Sequence, residues 1–107
     1  EKYYLKNGGI FYTGIMDGDI IGTSAVRKID KSKCEIKRIY LKKEFRGRGF
    51  GRELFFKALE YAEKNFSTIV LKTDAGLKDS INMYLKNGFS VVKEEGHFVH
   101  FEKKVAY

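Results

Sequence analysis

The chain has 107 residues, 43% of them hydrophobic with nine Phe and seven Tyr, and a formal charge of +7. That is apolar material for one core, and with no membrane-length apolar run and no N-terminal signal pattern it reads as a single soluble, cytoplasmic domain over 1–107. A lone Cys34 excludes an intramolecular disulfide and His97 and His100 lack metal-ligand spacing, so no metal is expected. The positive charge points to an anionic partner, which could be a nucleic acid, a membrane surface or a polyphosphate cofactor.

In chain order, Ile10 to Met16 and Ile20 to Ile29 are β-branched and aromatic runs joined by Asp17-Gly18-Asp19, a hairpin signal. A second turn, Asp30 to Lys33, leads into Cys34 to Lys43, predicted as a third antiparallel strand. From Gly51 the period changes. Leu54, Phe55, Ala58, Leu59 and Ala62 recur at three- and four-residue steps, which predicts a helix ending near Asn65. Thr68 to Thr73 is a short strand. Lys78 to Asn87 places Ile81, Tyr84 and Leu85 on one helical face before Gly88 stops it. Phe89 to Glu94 and Phe98 to Val105 close as a hairpin around Glu95-Gly96-His97. The order is βββαβαββ, an α+β class with a mixed, mostly antiparallel sheet whose third and fourth strands flank a crossover helix and run parallel.

Between the third strand and the first helix lies Arg46-Gly47-Arg48-Gly49-Phe50-Gly51-Arg52. A helix start offers unpaired N–H groups and the positive end of its dipole, so an anion is the natural ligand there. Glycines admit positive φ and remove β-carbons that would hold a phosphate off the main chain, and arginines add charged donors. The glycine spacing is G-x-G-x-G with no following Gly-Lys-Ser/Thr, which fits neither dinucleotide nor triphosphate loops. A long, repetitive arginine-glycine segment would suggest RNA, but this one is short and pinned between two elements.

Arg46, Gly49 and Gly51 in that setting resemble the Arg/Gln-x-x-Gly-x-Gly/Ala signature of the GCN5-related N-acetyltransferases (GNAT). The likeness continues through EIKRIYL, TIVLKT and MYLKNGF, which is similar to the family's Tyr-x-x-x-Gly-Phe close. The resemblance implies acetyl-coenzyme A as cosubstrate, with Arg46, Gly47, Arg48, Gly49, Phe50 and Gly51, helped by Arg52, at its pyrophosphate. It implies a bent strand whose backbone at Ile39, Tyr40 and Leu41 bonds the pantetheine arm and supplies an oxyanion donor, and Ser80 as a further coenzyme contact. It implies direct acetyl transfer to an amine in a ternary complex, with Tyr84 as acid toward the departing thiolate and Glu35 as candidate base. Read as residues alone, Tyr84 could equally be a half-buried packing tyrosine, and Glu35 an ordinary ion-pair member among Lys37, Arg38 and Lys42.

Against the family pattern, its first strand and two helices are missing before EKYYLKNGG, so the acceptor side is open, completed by a second copy in a homodimer, or cut away by truncation. Lys42-Lys43-Glu44 replaces a proline, and Leu77 an asparagine, that many members have. Lys72 stands where the branch acting on ribosomal-protein N-termini has a glutamate, which argues against that acceptor. A small-molecule amine or a protein lysine stays open. Two other classes compete: a noncatalytic acyl-coenzyme A-binding domain, which could dispense with Glu35 and Tyr84, and a basic nucleic-acid-binding module, set aside on the shape of the loop.

Overall fold

Alternation of buried and exposed residues builds most of this molecule, and the computed structural model describes residues 2–6 and 9–105, the side chains of residues 2–6, 38 and 39 excepted. In chain order the elements are β1 (Lys2–Lys6), β2 (Gly9–Met16), β3 (Asp19–Lys28), β4 (Lys33–Leu41), α1 (Phe50–Asn65), β5 (Thr68–Asp74), α2 (Lys78–Lys86), β6 (Ser90–Glu95) and β7 (Phe98–Lys104). Among the described residues the strands make one sheet, ordered β1-β2-β3-β4-β5-β7-β6. Every neighbouring pair is antiparallel except β4 and β5, which α1 connects as a crossover. The α+β class, the meander, the parallel pair and the closing hairpin are as the sequence predicts. The edge strand β1 is additional: alternation becomes regular only at Ile10, and KYYLK has one aliphatic residue to mark a strand.

Local chemistry sets the joints. Asp17 and Gly18 take φ of 52° and 83°, so the hairpin turn is these two residues and Asp19 already belongs to β3. The Asp30 carboxylate accepts the N–H of Ser32 and Lys33 at 2.8 and 2.9 Å, fixing the next turn. The strand predicted to Lys43 stops at Leu41, because Lys43–Phe45 wind into a single 3-10 turn.

Leu54, Phe55, Ala58, Leu59 and Ala62 are the buried stripe of α1. Phe55, Ala58, Leu59 and Ala62 pack on Cys34 and Ile36 of β4 and Ile69 and Leu71 of β5, while Leu54 lies over Gly14 of β2 and Gly22 of β3. Tyr84 of α2 joins the same cluster, its ring 5.1 Å from Phe55 and 5.5 Å from Phe101. Both helices therefore cover one face of the sheet. The residues between these on the strands, Glu35 and Lys37 on β4 and Val70 and Lys72 on β5, point to the other face by alternation. Leu85, predicted on the apolar face of α2, is instead 47% exposed, since Tyr84 and Ile81 occupy the contact and the next position is rotated away.

Complete burial pushes the Cys34 thiol up to about 12. The folded chain then keeps a proton that the unfolded chain releases from about pH 9, so stability falls as pH rises between those values, by about 1.4 kcal/mol per pH unit. Cys34→Ala is expected to lose less stability than the native chain between pH 8 and about pH 10 in urea titrations. Equal losses in the two proteins would show that the thiol does not couple to folding.

Candidate active site

Two local departures from a regular sheet create the site. The parallel ladder between β4 and β5 ends at Glu35↔Val70, although β4 continues to Leu41 and β5 to Asp74. Beyond that rung β5 stays with β7 and β4 stays with β3, so the edges they turn toward each other carry no mutual ladder. On β4 the register shifts: Ala25 faces Lys37 and Thr23 faces Tyr40, leaving Arg38 and Ile39 together opposite Ser24. That bulge bends β4 as it parts from β5. The backbone of Ile39, Tyr40 and Leu41 thus lines an opening that no other strand fills; the Ile39 side chain lies outside the described residues, and Tyr40 is 54% exposed.

The loop above it is held at its base. Lys42 N–H donates to Ile21 O at 2.8 Å, and Arg46 Nε donates back to Leu41 O at 3.2 Å. Gly22 lets this end of β4 and the start of α1 settle on β3: a β-carbon there would stand 2.7 Å from both Tyr40 O and Leu54 Cδ1. Gly22 is a packing requirement that the loop motif does not contain, and a glycine inside a strand is the signal that marks it.

Gly47 and Gly49 adopt φ of 77° and 87°, a conformation costly for other residues, and Gly49 is the N-cap of α1. No atom lies within 4 Å of where either β-carbon would be, so the space over the loop is open. Gly51 is different; it is helical, and a β-carbon would make ordinary contact with Leu41 Cδ2 at 3.6 Å. The first helical bond runs from Glu53 N–H to Gly49 O, which leaves the N–H groups of Phe50, Gly51 and Arg52 without an intrahelical acceptor. Arg48 rests 5.5 and 5.6 Å from the ring centres of Phe45 and Phe50, and Arg52 rests 5.8 Å from that of Phe56. The first stack keeps the Arg48 guanidinium at the helix start, whereas Arg52 is turned one helical turn along α1.

Tyr84 is 6% exposed, and its phenol is influenced by the nearby side-chain hydroxyls of Ser80, one turn earlier, and Thr73 of β5. Burial raises the phenol above its ordinary value, and the Ser80 and Thr73 hydroxyls oppose that rise. Thr73 lies past the last β4–β5 rung, so the hydroxyl stands at the β5 lip of the opening. Thr73 is a second residue no motif indicates. Glu35 is placed otherwise: it sits on the last rung, on the face opposite the helices, with its side chain 17% exposed. Arg27 Nη2 and Nε donate to its Oε1 at 2.8 and 3.2 Å. The structure thus brings together the loop, Ile39 to Leu41, Ser80 and Tyr84, and sets Glu35 across the sheet from Tyr84.

Comparison with known proteins finds the same fold elsewhere. Residues 1–89 match the family model described as the acetyltransferase (GNAT) family. A human protein named N-acetylaspartate synthetase is 32% identical over 102 residues, which cover 92% of this chain and 34% of that one. The chain thus spans about a third of the length of the curated relatives it matches first. Among solved structures, PH1933 of Pyrococcus horikoshii OT3 superposes with a TM-score of 0.79 at 25% identity, covering 91% of this chain and 66% of that one. A PaiA N-acetyltransferase of Thermoplasma acidophilum, solved in complex with coenzyme A, gives 0.72 at 27% identity, with coverages of 90% and 59%.

Proposed function

Since the chain belongs to the acetyltransferase (GNAT) family, we propose that it transfers the acetyl group of acetyl-coenzyme A to an amine by direct attack within a ternary complex. The observation that carries this reading is the parting of β4 from β5 directly beneath a loop of left-handed glycines and unbonded helix-start amides. Acetyl-coenzyme A supplies the activated thioester, a pyrophosphate for the loop and an amide-bearing arm for the free edge of β4. Residues Arg46 to Gly51 hold the pyrophosphate with main-chain N–H groups, and Arg48 and Arg52 add charge. Ile39, Tyr40 and Leu41 offer backbone groups along the opening, one N–H of which faces the developing oxyanion.

Transfer forms a C–N bond and breaks a C–S bond. The nitrogen must lose a proton and the sulfur must gain one. Tyr84, kept protonated by burial beside Thr73 and Ser80, donates to the sulfur. Glu35 takes the amine proton through water, releasing Arg27 as it does so. Glu35→Gln is expected to lower kcat between tenfold and a hundredfold with the KM for acetyl-coenzyme A unchanged, measured by free thiol release. An unaltered kcat would remove Glu35 from the reaction and leave the base to solvent.

The test of the reading has two stages. Coenzyme A and its acetyl ester should raise the Tm by several degrees at saturating concentration, whereas an oligonucleotide should not; thiol should then be released when an amine panel is supplied. The Arg27 clamp on Glu35 favours one second reading, a domain that binds the coenzyme without turnover. It predicts the same thermal shift with no thiol release for any amine.

A further inference from the structure

The face of the sheet that carries neither helix holds an unusual pair of charges. Lys37 on β4 and Lys72 on β5 each lie two positions beyond the last rung, Glu35↔Val70, so they flank the opening from its two lips. Both alternate with helix-facing residues, Ile36 on one strand and Leu71 and Thr73 on the other, and so both point to the face away from the two helices. Like charges at matched positions on adjacent strands repel. Here, among the described residues, neither lysine has a carboxylate within ion-pair distance.

The neighbouring ions of that face are already matched: Arg27 with Glu35, Lys104 with Glu102, and Lys93 and His100 with Glu95. Asp74, at the end of β5, turns its carboxylate to the Gly76 amide at 2.8 Å. The Lys72 ammonium rests 5.1 Å from the centre of the Phe98 ring, an exposed contact weaker than a charge-assisted hydrogen bond to a carboxylate.

Among the described residues, neither helix packs over the opening on this side. On the other side Phe55, Tyr84 and Phe101 fill the space beneath the helices. We propose that the acceptor is an amine bearing a carboxylate, an amino acid or a close analogue, and that Lys37 and Lys72 hold its carboxylate across the opening while its nitrogen faces Tyr84. This rests on the acetyl-transfer reading. It makes the two lysines specificity residues and disfavours polyamines, which would bring cations to a face with two uncompensated positive charges.

The experiment compares matched acceptors, glycine against glycinamide and L-glutamate against its diamide, with spermidine as the cationic case, in a thiol-release assay at fixed acetyl-coenzyme A. The acids are expected to exceed their amides in kcat/KM by about tenfold or more, although the amides have the less basic nitrogen, and the advantage should shrink as salt is added. Lys37→Gln and Lys72→Gln should each raise the KM for glutamate by about tenfold and pull the acid-to-amide ratio toward one. Lys72→Glu should turn the preference toward spermidine.

Equal rates for acids and amides, or a preference for spermidine in the native chain, would overturn the proposal and leave acetyl transfer standing. If no amine is turned over, glutamate binding followed by amide chemical shifts at Lys37 and Lys72 decides the same point. Shifts at both residues that the diamide does not cause support the lysine pair, and their absence at millimolar glutamate overturns it. Retained thermal stabilisation by acetyl-coenzyme A tells either outcome apart from loss of the coenzyme site.

Discussion

Gly49→Val is expected to weaken coenzyme A binding by at least about a hundredfold. Gly49 stands at φ 87°, where a β-branched residue costs on the order of 1–3 kcal/mol. The chain can avoid that strain only by unwinding the N-cap, and the N–H groups of Phe50 to Arg52 then lose their common direction. Each charge-assisted amide bond to phosphate lost in this way costs about 1.5–3 kcal/mol, so two lost bonds already exceed a hundredfold. Calorimetric titration of coenzyme A measures the effect, with circular dichroism to confirm that the fold persists. Gly51→Ala separates conformation from room: position 51 is helical with space for a methyl group, so its fold is expected to be at least as stable as the native one. Loss of binding in that variant would mean that the ligand itself occupies the space. A Gly49→Val protein that binds within about threefold of the native chain would sink the assignment of the loop.

Tyr84→Phe is expected to lower kcat by about 10²-fold or more while the KM for acetyl-coenzyme A stays near the native value. The substitution keeps the ring that packs on Phe55, Phe89 and Phe101 and removes only the hydroxyl near Thr73 and Ser80. Its stability cost should therefore be about 1–2 kcal/mol, the loss of one buried hydrogen-bonding group. Because burial raises the phenol, the folded state holds this proton at pH values where the unfolded chain has released it. The hydroxyl adds no pH dependence to stability below its ordinary value near 10, and stability declines as pH rises from there through the raised value. The acid should consequently stay protonated across the neutral range, and Tyr84→Phe should lower the pH–rate profile without moving its acidic limb. Native kcat in this variant, on an acceptor that the native chain turns over, would exclude Tyr84 as the acid.

Much of the fold was legible in one dimension, because its signals are periodic. The alternation in β2 and β3, the stripe Leu54, Phe55, Ala58, Leu59, Ala62, and the turn residues Asp17-Gly18 each express a backbone geometry that a few neighbouring residues specify. The geometry of the glycine-arginine loop was legible for the same reason: its parts are contiguous, and the glycines with positive φ stand within the motif. Leu85 was misplaced on the core because a three-residue apolar set on a short helix does not say which member meets the sheet. Thr73 and the Arg27–Glu35 pair were not legible, since each acquires its role from a partner on another strand or helix, and Gly22 showed only as a glycine inside a strand.

Glu35 shows the division most plainly. As a sequence position it could be a base or an ion-pair member, and only the pairing of β3 with β4, which sets Arg27 directly opposite, gives it a guanidinium. The sequence by itself determined the element types, the parallel crossover and the glycine-arginine loop proposed to bind the anion, all encoded within spans of about one element. The tertiary structure alone decided where β4 leaves β5, which face each side chain occupies, and that Lys37 and Lys72 each stand two positions past the last shared rung. The reason is register: one bulge at Arg38 and Ile39 and one ladder ending at Glu35↔Val70 arise from long-range pairing energies that no local pattern records.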